Sequence, residues 1–369
     1  MKYYIIAGEA SGDLHGSNLI KAIAKQDPDA SIRCWGGDLM EAAGGHLVKH
    51  YRDLAFMGFI EVVKNLPAII KNIAFCKEDI ISFSPDVIIL IDYPGFNLRI
   101  AKWAKKNHFK VIYYISPQVW AWKENRVRMM IKCIDKMLVI LPFEADYYKN
   151  KWQWDVEYVG HPLLEAVAEF KDSNIENLSY NKPVIALLPG SRKQEIAVKL
   201  PIMLGQANLF KDFQFVIAKA PGIEASFYDH MIGDYENVDY VANQTYALLN
   251  KSVAALVTSG TATLETALFG VPQVVCYKGN KISYEIAKRV IKVSYISLVN
   301  LIMGKMVVKE LIQGELKTAN LTDELRLILP GGAKRSQVLK DYEQLKSVLQ
   351  STEGASARAA KIILDFLRS

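Results

Sequence analysis

Residues 1–16 read MKYYIIAGEASGDLHG, and the segment Gly8–Asp13, GEASGD, decides how the rest is read. A short apolar run, Tyr3–Ala7, precedes it. Behind it Leu14, Leu19, Ile20 and Ile23 fall on one side of a helical pattern. A glycine-bearing turn between strand and helix brings backbone close to a ligand, often a phosphate at the helix N-terminus. The glycines stand at 8, 12 and 16, which is not the G-x-G-x-x-G spacing of dinucleotide binding. What this turn approaches is left open by the spacing.

Outward from the turn, strand-length apolar runs alternate with longer helical patterns. The first series is Tyr3–Ala7, Ile32–Trp35, Val87–Ile91, Val111–Ile115, Met137–Ile140 and Glu157–Val159. These runs are nearly continuous, as parallel strands covered on both faces require. The polar stretch Ala166–Pro183 reads as a linker, after which the pattern restarts at Val184–Leu188, Phe215–Ala218, Val238–Val241, Ala254–Thr258 and Val274–Tyr277. Two successive βα series predict an α/β protein of two doubly wound domains, 1–168 and 169–369, facing a cleft that holds the ligands. The alanine-rich end, Gly354–Ser369, is expected to be a terminal helix.

At 369 residues, 51% hydrophobic and 23% charged, the composition is that of a globular protein with room for two cores. No run is long and apolar enough for a membrane span, and no secretory leader is expected from the opening residues. Cys34, Cys76, Cys133 and Cys276 are scattered, which points to a reducing cytoplasm and to neither zinc nor a disulfide framework. The net charge of +6 suits an anionic membrane surface or a phosphorylated substrate, and no DNA- or RNA-binding motif accompanies it.

Several segments stand where strands end. LPGSR, Leu188–Arg192, offers a guanidinium suited to phosphate, or a solvent-facing arginine in a turn. SGTATLE, Ser259–Glu265, exposes backbone N–H groups at a helix start for a diphosphate, with Glu265 in reach of a ribose hydroxyl; a plain capped helix is the competing reading. Asp92 closes the apolar strand VIILID, as a structural cap or as a general base. Trp120 and Trp122, in SPQVWAW, form either a satellite core or an apolar wall for a greasy substrate, and His161, in VGHPL, is either a ligand-facing donor or a loop histidine. Ala55–Lys77 is apolar with interspersed lysines, either a core helix or an element lying in a membrane surface.

Together GEASGDLHG, FMGFIEV, PDVIILIDYPGFN, SPQVWAW, LPFE, VGHPL, LPGSR, SGTATLE and KELIQ, in that order along nearly the whole chain, resemble the lipid-A-disaccharide synthase family. The resemblance implies inverting glycosyltransferases of the type-B fold, with two Rossmann-like domains; the sequence offers no obvious metal-binding Asp-x-Asp pair, so metal-independent chemistry with no cofactor is expected. It implies UDP-2,3-diacylglucosamine as donor and 2,3-diacylglucosamine 1-phosphate as acceptor, at the cytoplasmic face of the inner membrane. By the same resemblance Asp92 is the base, and Arg192, Ser259, Gly260, Thr261, Glu265 and Asn300 lie on the UDP side. Gly8, Ser11, Gly12, Asp13, Ser116, Trp120, Trp122 and His161 are candidates on the acceptor side. The sequence departs from the family pattern at Val299, where SLVN replaces SLPN, and at Gly95, where PGFN replaces PDFN. A nucleotide-sugar 2-epimerase, a nonenzymatic membrane-binding protein and a homodimer are compatible alternatives and assemblies.

Overall fold

Strands form where apolar residues can be covered on both faces. The computed structural model describes every residue except 55–65, 174–177, 281–283, 286–292 and 351–352. The first sheet contains β1 (Lys2–Ala7), β2 (Ser31–Gly36), β3 (His46–His50), β4 (Val87–Ile91), β5 (Val111–Tyr114), β6 (Lys136–Val139) and β7 (Glu157–Tyr158), in the order β3-β2-β1-β4-β5-β6-β7. The second contains β8 (Val184–Leu188), β9 (Gln214–Lys219), β10 (Val238–Ala242), β11 (Ser252–Thr258), β12 (Gln273–Tyr277) and β13 (Lys309–Ile312), in the order β10-β9-β8-β11-β12-β13. All pairings are parallel, and β4 and β8 are buried along their whole length. The α/β class read from the sequence is the observed one. Strand order reverses between β1 and β4 in one sheet and between β8 and β11 in the other, and the crevice at such a reversal is where doubly wound sheets bind ligands.

The chain divides into two compact units, Met1–Pro162 with Gln350–Ser369, and Leu163–Leu349. The division falls at 162/163, against an expected boundary at 168/169, and the last residues join the first unit, the crossing back to an N-terminal domain that the sequence left open for the terminal helices. The first part of the expected linker, to Asp172, is helix: Leu163–Asp172 buries Leu163, Ala166 and Val167. The terminal helix, Ala355–Arg368, packs on the helix Ala10–Gln26 through a stripe of buried Ala359, Ala360 and Ile363. Gln26 Nε2 donates to the Ala357 carbonyl at 3.2 Å, and Lys110 Nζ lies 5.0 Å from the centre of the Phe366 ring.

Of the apolar segment Ala55–Lys77, residues 55–65 lie outside the described residues. The remainder belongs to the helix Leu66–Phe83, where Pro67 sits in the first turn, a position that tolerates proline. Cys76 and Ile80 are buried, while Ile70 and Ile81 are 58% and 60% exposed. No helix among the described residues is long and apolar enough to cross a membrane.

Candidate active site

The edge of the first sheet carries strained backbone. Immediately after β4, Asp92 and Tyr93 adopt left-handed conformations, with φ of 42° and 47°, and Ile115 after β5 has φ of 66°. Such geometry costs of order 1–3 kcal/mol per residue and persists only where the surroundings impose it. They do so here. The fully buried Asn97 donates from Nδ2 to the carbonyls of Asp92 at 2.8 Å, Ile91 at 3.1 Å and Ile6 at 3.4 Å, tying the ends of β1 and β4 together. The Tyr113 hydroxyl also donates to the Asp92 carbonyl, and the Asp92 N–H reaches Tyr114 O at 3.2 Å. The Asp92 backbone is therefore clamped while its partly buried carboxylate accepts only the Tyr93 N–H among the interactions that set its acidity. Burial pushes that carboxyl up to about 7, and the negative charge of Glu9 adds to the shift.

The glycines of GEASGDLHG approach the protein itself. A Cβ at Gly8 would lie 2.3 Å from the Tyr93 ring, one at Gly12 would lie 3.0 Å from Ala7 Cβ, and one at Gly16 would lie 2.6 Å from Met40 Sδ. Gly8 thus lets Tyr93, and with it Asp92, sit against the end of β1. Asp13 is buried, and its carboxylate accepts from the N–H groups of Gly37 at 2.8 Å, Met40 at 3.0 Å and Leu39 at 3.2 Å, capping the short helix Asp38–Ala42. Those three bonds assign Asp13 to the fold. Ser11 is exposed in the first turn of its helix, whereas His161 is buried, pushed down to about 3 by burial and by neighbouring His15. His161 is accordingly a neutral imidazole at physiological pH.

The two tryptophans part company. Trp120 is buried, its Nε1 donating to Glu144 Oε1 at 3.0 Å, and its ring meets Phe143 edge-on. Glu144 also accepts from Leu141 N at 3.0 Å, and burial pushes its carboxyl up to about 7. Ser116 Oγ lies 2.6 Å from the buried Tyr148 hydroxyl. Trp122, by contrast, is 50% exposed, with Lys123 Nζ 3.8 Å over its ring.

At the second sheet's reversal, Gly190 after β8 has φ of 122° and Gly260 after β11 has φ of 134°, conformations that favour glycine. Arg192 is exposed and donates to Glu195 Oε1 at 2.8 Å. Ser259 Oγ donates to Ile296 O at 2.8 Å and Thr263 Oγ1 to Gly260 O at 2.8 Å, which fixes the turn and leaves Gly260 and Thr261 exposed at the start of the helix Thr261–Leu268. Glu265 accepts from the Tyr246 hydroxyl at 2.8 Å, and burial raises its pKa.

Asn300 is wholly buried, donates to Val308 O at 2.8 Å and Glu310 Oε1 at 2.9 Å, and accepts from Val307 N at 2.8 Å and Val308 N at 3.0 Å. With both ends of its amide engaged inside the fold, it locks the chain to β13. Val299, beside it, fills the core with Val275 and Leu264. Missed altogether in the sequence were Asn97, Tyr113 and Glu9 as partners of Asp92. Asn97 stood in the quoted DYPGFN, yet nothing in the spacing says that its amide bridges two strands.

Two parallel sheets with reversed strand order and polar edges define a class. Solved structures sharing the fold include the glycotransferase of kitacinnamycin, at a TM-score of 0.70 and 14% identity over 99% of each chain. The UDP-GlcNAc 2-epimerase from Neisseria meningitidis, bound to UDP-GlcNAc, matches at 0.67 and 14% identity over 100% of each chain. The architecture is that of type-B glycosyltransferases and the epimerases that share it. Within that class, the family model described as lipid-A-disaccharide synthetase matches residues 3–364. The lipid-A-disaccharide synthase of Syntrophus aciditrophicus is 39% identical over 374 residues, covering 99% of this chain and 97% of that protein. That of Geobacter metallireducens is 38% identical, covering 98% and 96%. The chain belongs to the lipid-A-disaccharide synthetase family, and is by that membership a glycosyltransferase.

Proposed function

We propose that the protein transfers 2,3-diacylglucosamine from UDP-2,3-diacylglucosamine to the 6-hydroxyl of 2,3-diacylglucosamine 1-phosphate. The products are the β-1,6-linked lipid A disaccharide 1-phosphate and UDP. The observation that carries the mechanism is Asp92: a carboxylate on clamped, strained backbone at a sheet reversal, with its proton affinity raised to about 7. A base with that affinity takes a proton from a hydroxyl better than an ordinary carboxylate and is still ionised in part near neutrality. A single displacement with inversion then needs no covalent nucleophile. In the second unit, Arg192 and the exposed N–H groups at Gly260 and Thr261 receive the diphosphate, whose charge grows as UDP leaves. Glu265 is the candidate for the ribose.

The acylated substrates and a peripheral site on the inner face of the inner membrane are supported by the helix Leu66–Phe83. Its Ile70, Ile73, Ile81, Lys77 and Glu78 line a groove of about 550 Å³ with Arg99 and Trp103 of the helix Pro94–Lys106, two cations against one acid. Apolar side chains beside cations suit acyl chains under anionic head groups. Incubating the purified protein with both acylated substrates should release UDP and disaccharide together. Conversion of a UDP-sugar alone would instead indicate an epimerase, and no turnover would overturn the enzyme reading.

A further inference from the structure

The reversal of the second sheet holds a cation with no part in the mechanism above. Lys199 lies one turn after Glu195 on the helix Lys193–Leu204, and its side chain is only 3% exposed. Lysine is almost never this buried without full pairing. Its ammonium donates to the Thr258 hydroxyl at the end of β11 and stands 3.3 Å from Glu195 Oε2. The other oxygen of the same carboxylate takes Arg192 at 2.8 Å. One partly exposed carboxylate thus serves two cations. Burial lowers the pKa of Lys199, and the adjacent Glu195 carboxylate opposes that effect.

The turn above is shaped around this group. A Cβ at Gly190 would come 3.1 Å from Glu195 Oε2 and 3.3 Å from Lys199 Nζ, so no side chain stands between the turn's backbone and the ammonium. We propose that Lys199 is a buried counter-charge for the diphosphate of a nucleotide sugar, and that the Glu195 carboxylate holds the diphosphate's place between Arg192 and Lys199 until it binds. This rests on the assignment of the β8/β11 edge as the donor site. Lys199 acts as a positioning charge from beneath the turn. Being buried, it needs no reorganisation as negative charge develops on departing UDP, and low polarity strengthens its effect.

Binding of UDP and of uridine to the full-length protein separates the roles. Lys199→Met, which keeps the volume of the stem, should weaken UDP binding at least about tenfold and leave uridine within about twofold, as loss of a charge-assisted contact to the diphosphate alone predicts. Glu195→Gln should tighten UDP several-fold by removing the competing anion. An unchanged ratio of UDP to uridine affinity in Lys199→Met overturns the proposal. Should that variant not fold, Glu195→Gln decides at a partly exposed position: unchanged or weaker UDP binding overturns it. If the wild-type protein itself shows no preference for UDP over uridine, the donor-site assignment has failed instead.

Discussion

The two sheets reverse at equivalent places and put opposite chemistry there. The β1/β4 edge carries the acids Glu9 and Asp92, and left-handed backbone falls on residues with side chains, Asp92 and Tyr93. At the β8/β11 edge the cations are Arg192 and Lys199, and left-handed backbone falls on Gly190 and Gly260. Glycine relieves strain where what matters is exposed N–H groups. A carboxylate that must be presented as a base cannot be replaced by glycine, so the first edge retains its strain and fixes it with Asn97 and Tyr113. Under the proposed function the same topology hosts a proton acceptor in one unit and an anion receptor in the other, because function resides in the residues grafted on the edges.

The largest break in this comparison should come from Asp92→Asn, which keeps the shape and removes the basicity. Disaccharide formation should fall at least about a hundredfold with UDP affinity nearly intact. Stability should move the other way. A carboxyl whose folded pKa is raised to about 7 opposes folding when ionised, fully above that pH and not at all below the ordinary carboxylate range. Asparagine, neutral and tolerant of left-handed backbone, should therefore raise the melting temperature at about pH 8, an advantage that fades by about pH 4. Normal turnover in this variant would show that another group is the base; a fall in melting temperature at both pH values would make Asp92 a structural cap.

Next in size is Arg192→Ala at the opposite edge. Loss of one charged donor to the diphosphate should raise the transition-state barrier by about 2–4 kcal/mol, read as kcat/KM, with weaker UDP binding. Because Arg192 is exposed and its ion pair with Glu195 is a surface i,i+3 pair, loss of that pair should hardly change the melting temperature. Unchanged kinetics in the folded variant would remove Arg192 from the donor site.

How far the sequence could reach differs between strands and contacts. Val87–Ile91 and Val184–Leu188 were legible to the residue because central parallel strands are apolar throughout. Two of the four edge strands, β3 and β13, were not: HLVKH and KELI mix charges with apolar residues and carry no continuous apolar run. The strand-end positions of Asp92, Arg192 and Ser259 followed from the pattern, but the partners of each side chain did not. Lys199 reads as an ordinary solvent-facing lysine at i+4 from a glutamate, and its burial arises from the packing of its helix against β11. For Asn300 and Asp13 the motifs gave the positions, and only the structure shows the hydrogen bonds to Glu310 and to the N–H groups after β2.

A smaller effect sharpens the account of the first edge. Asn97→Ala would strand the carbonyls at the ends of β1 and β4, costing about 1–3 kcal/mol of stability. With Asp92 less firmly held, kcat should fall about tenfold while UDP binding in the second unit is retained. A loss of stability with kcat unchanged would reduce Asn97 to a structural clamp.

The smallest effect tests the electrostatics of Asp92 directly. As a base it must be ionised, so activity should rise with pH through about 7, where its carboxyl titrates. Burial is the larger cause of that raised value and the charge of Glu9 the lesser. Glu9→Gln removes a negative charge that disfavours ionised Asp92, so the acidic limb of kcat/KM should move to lower pH. Because burial remains, the limb should stay above the ordinary carboxylate range. The plateau rate at high pH should be close to wild type, since the base is fully ionised there in both proteins. A limb that does not move, or that moves to higher pH, would mean that the titrating group is not the carboxylate beside Glu9.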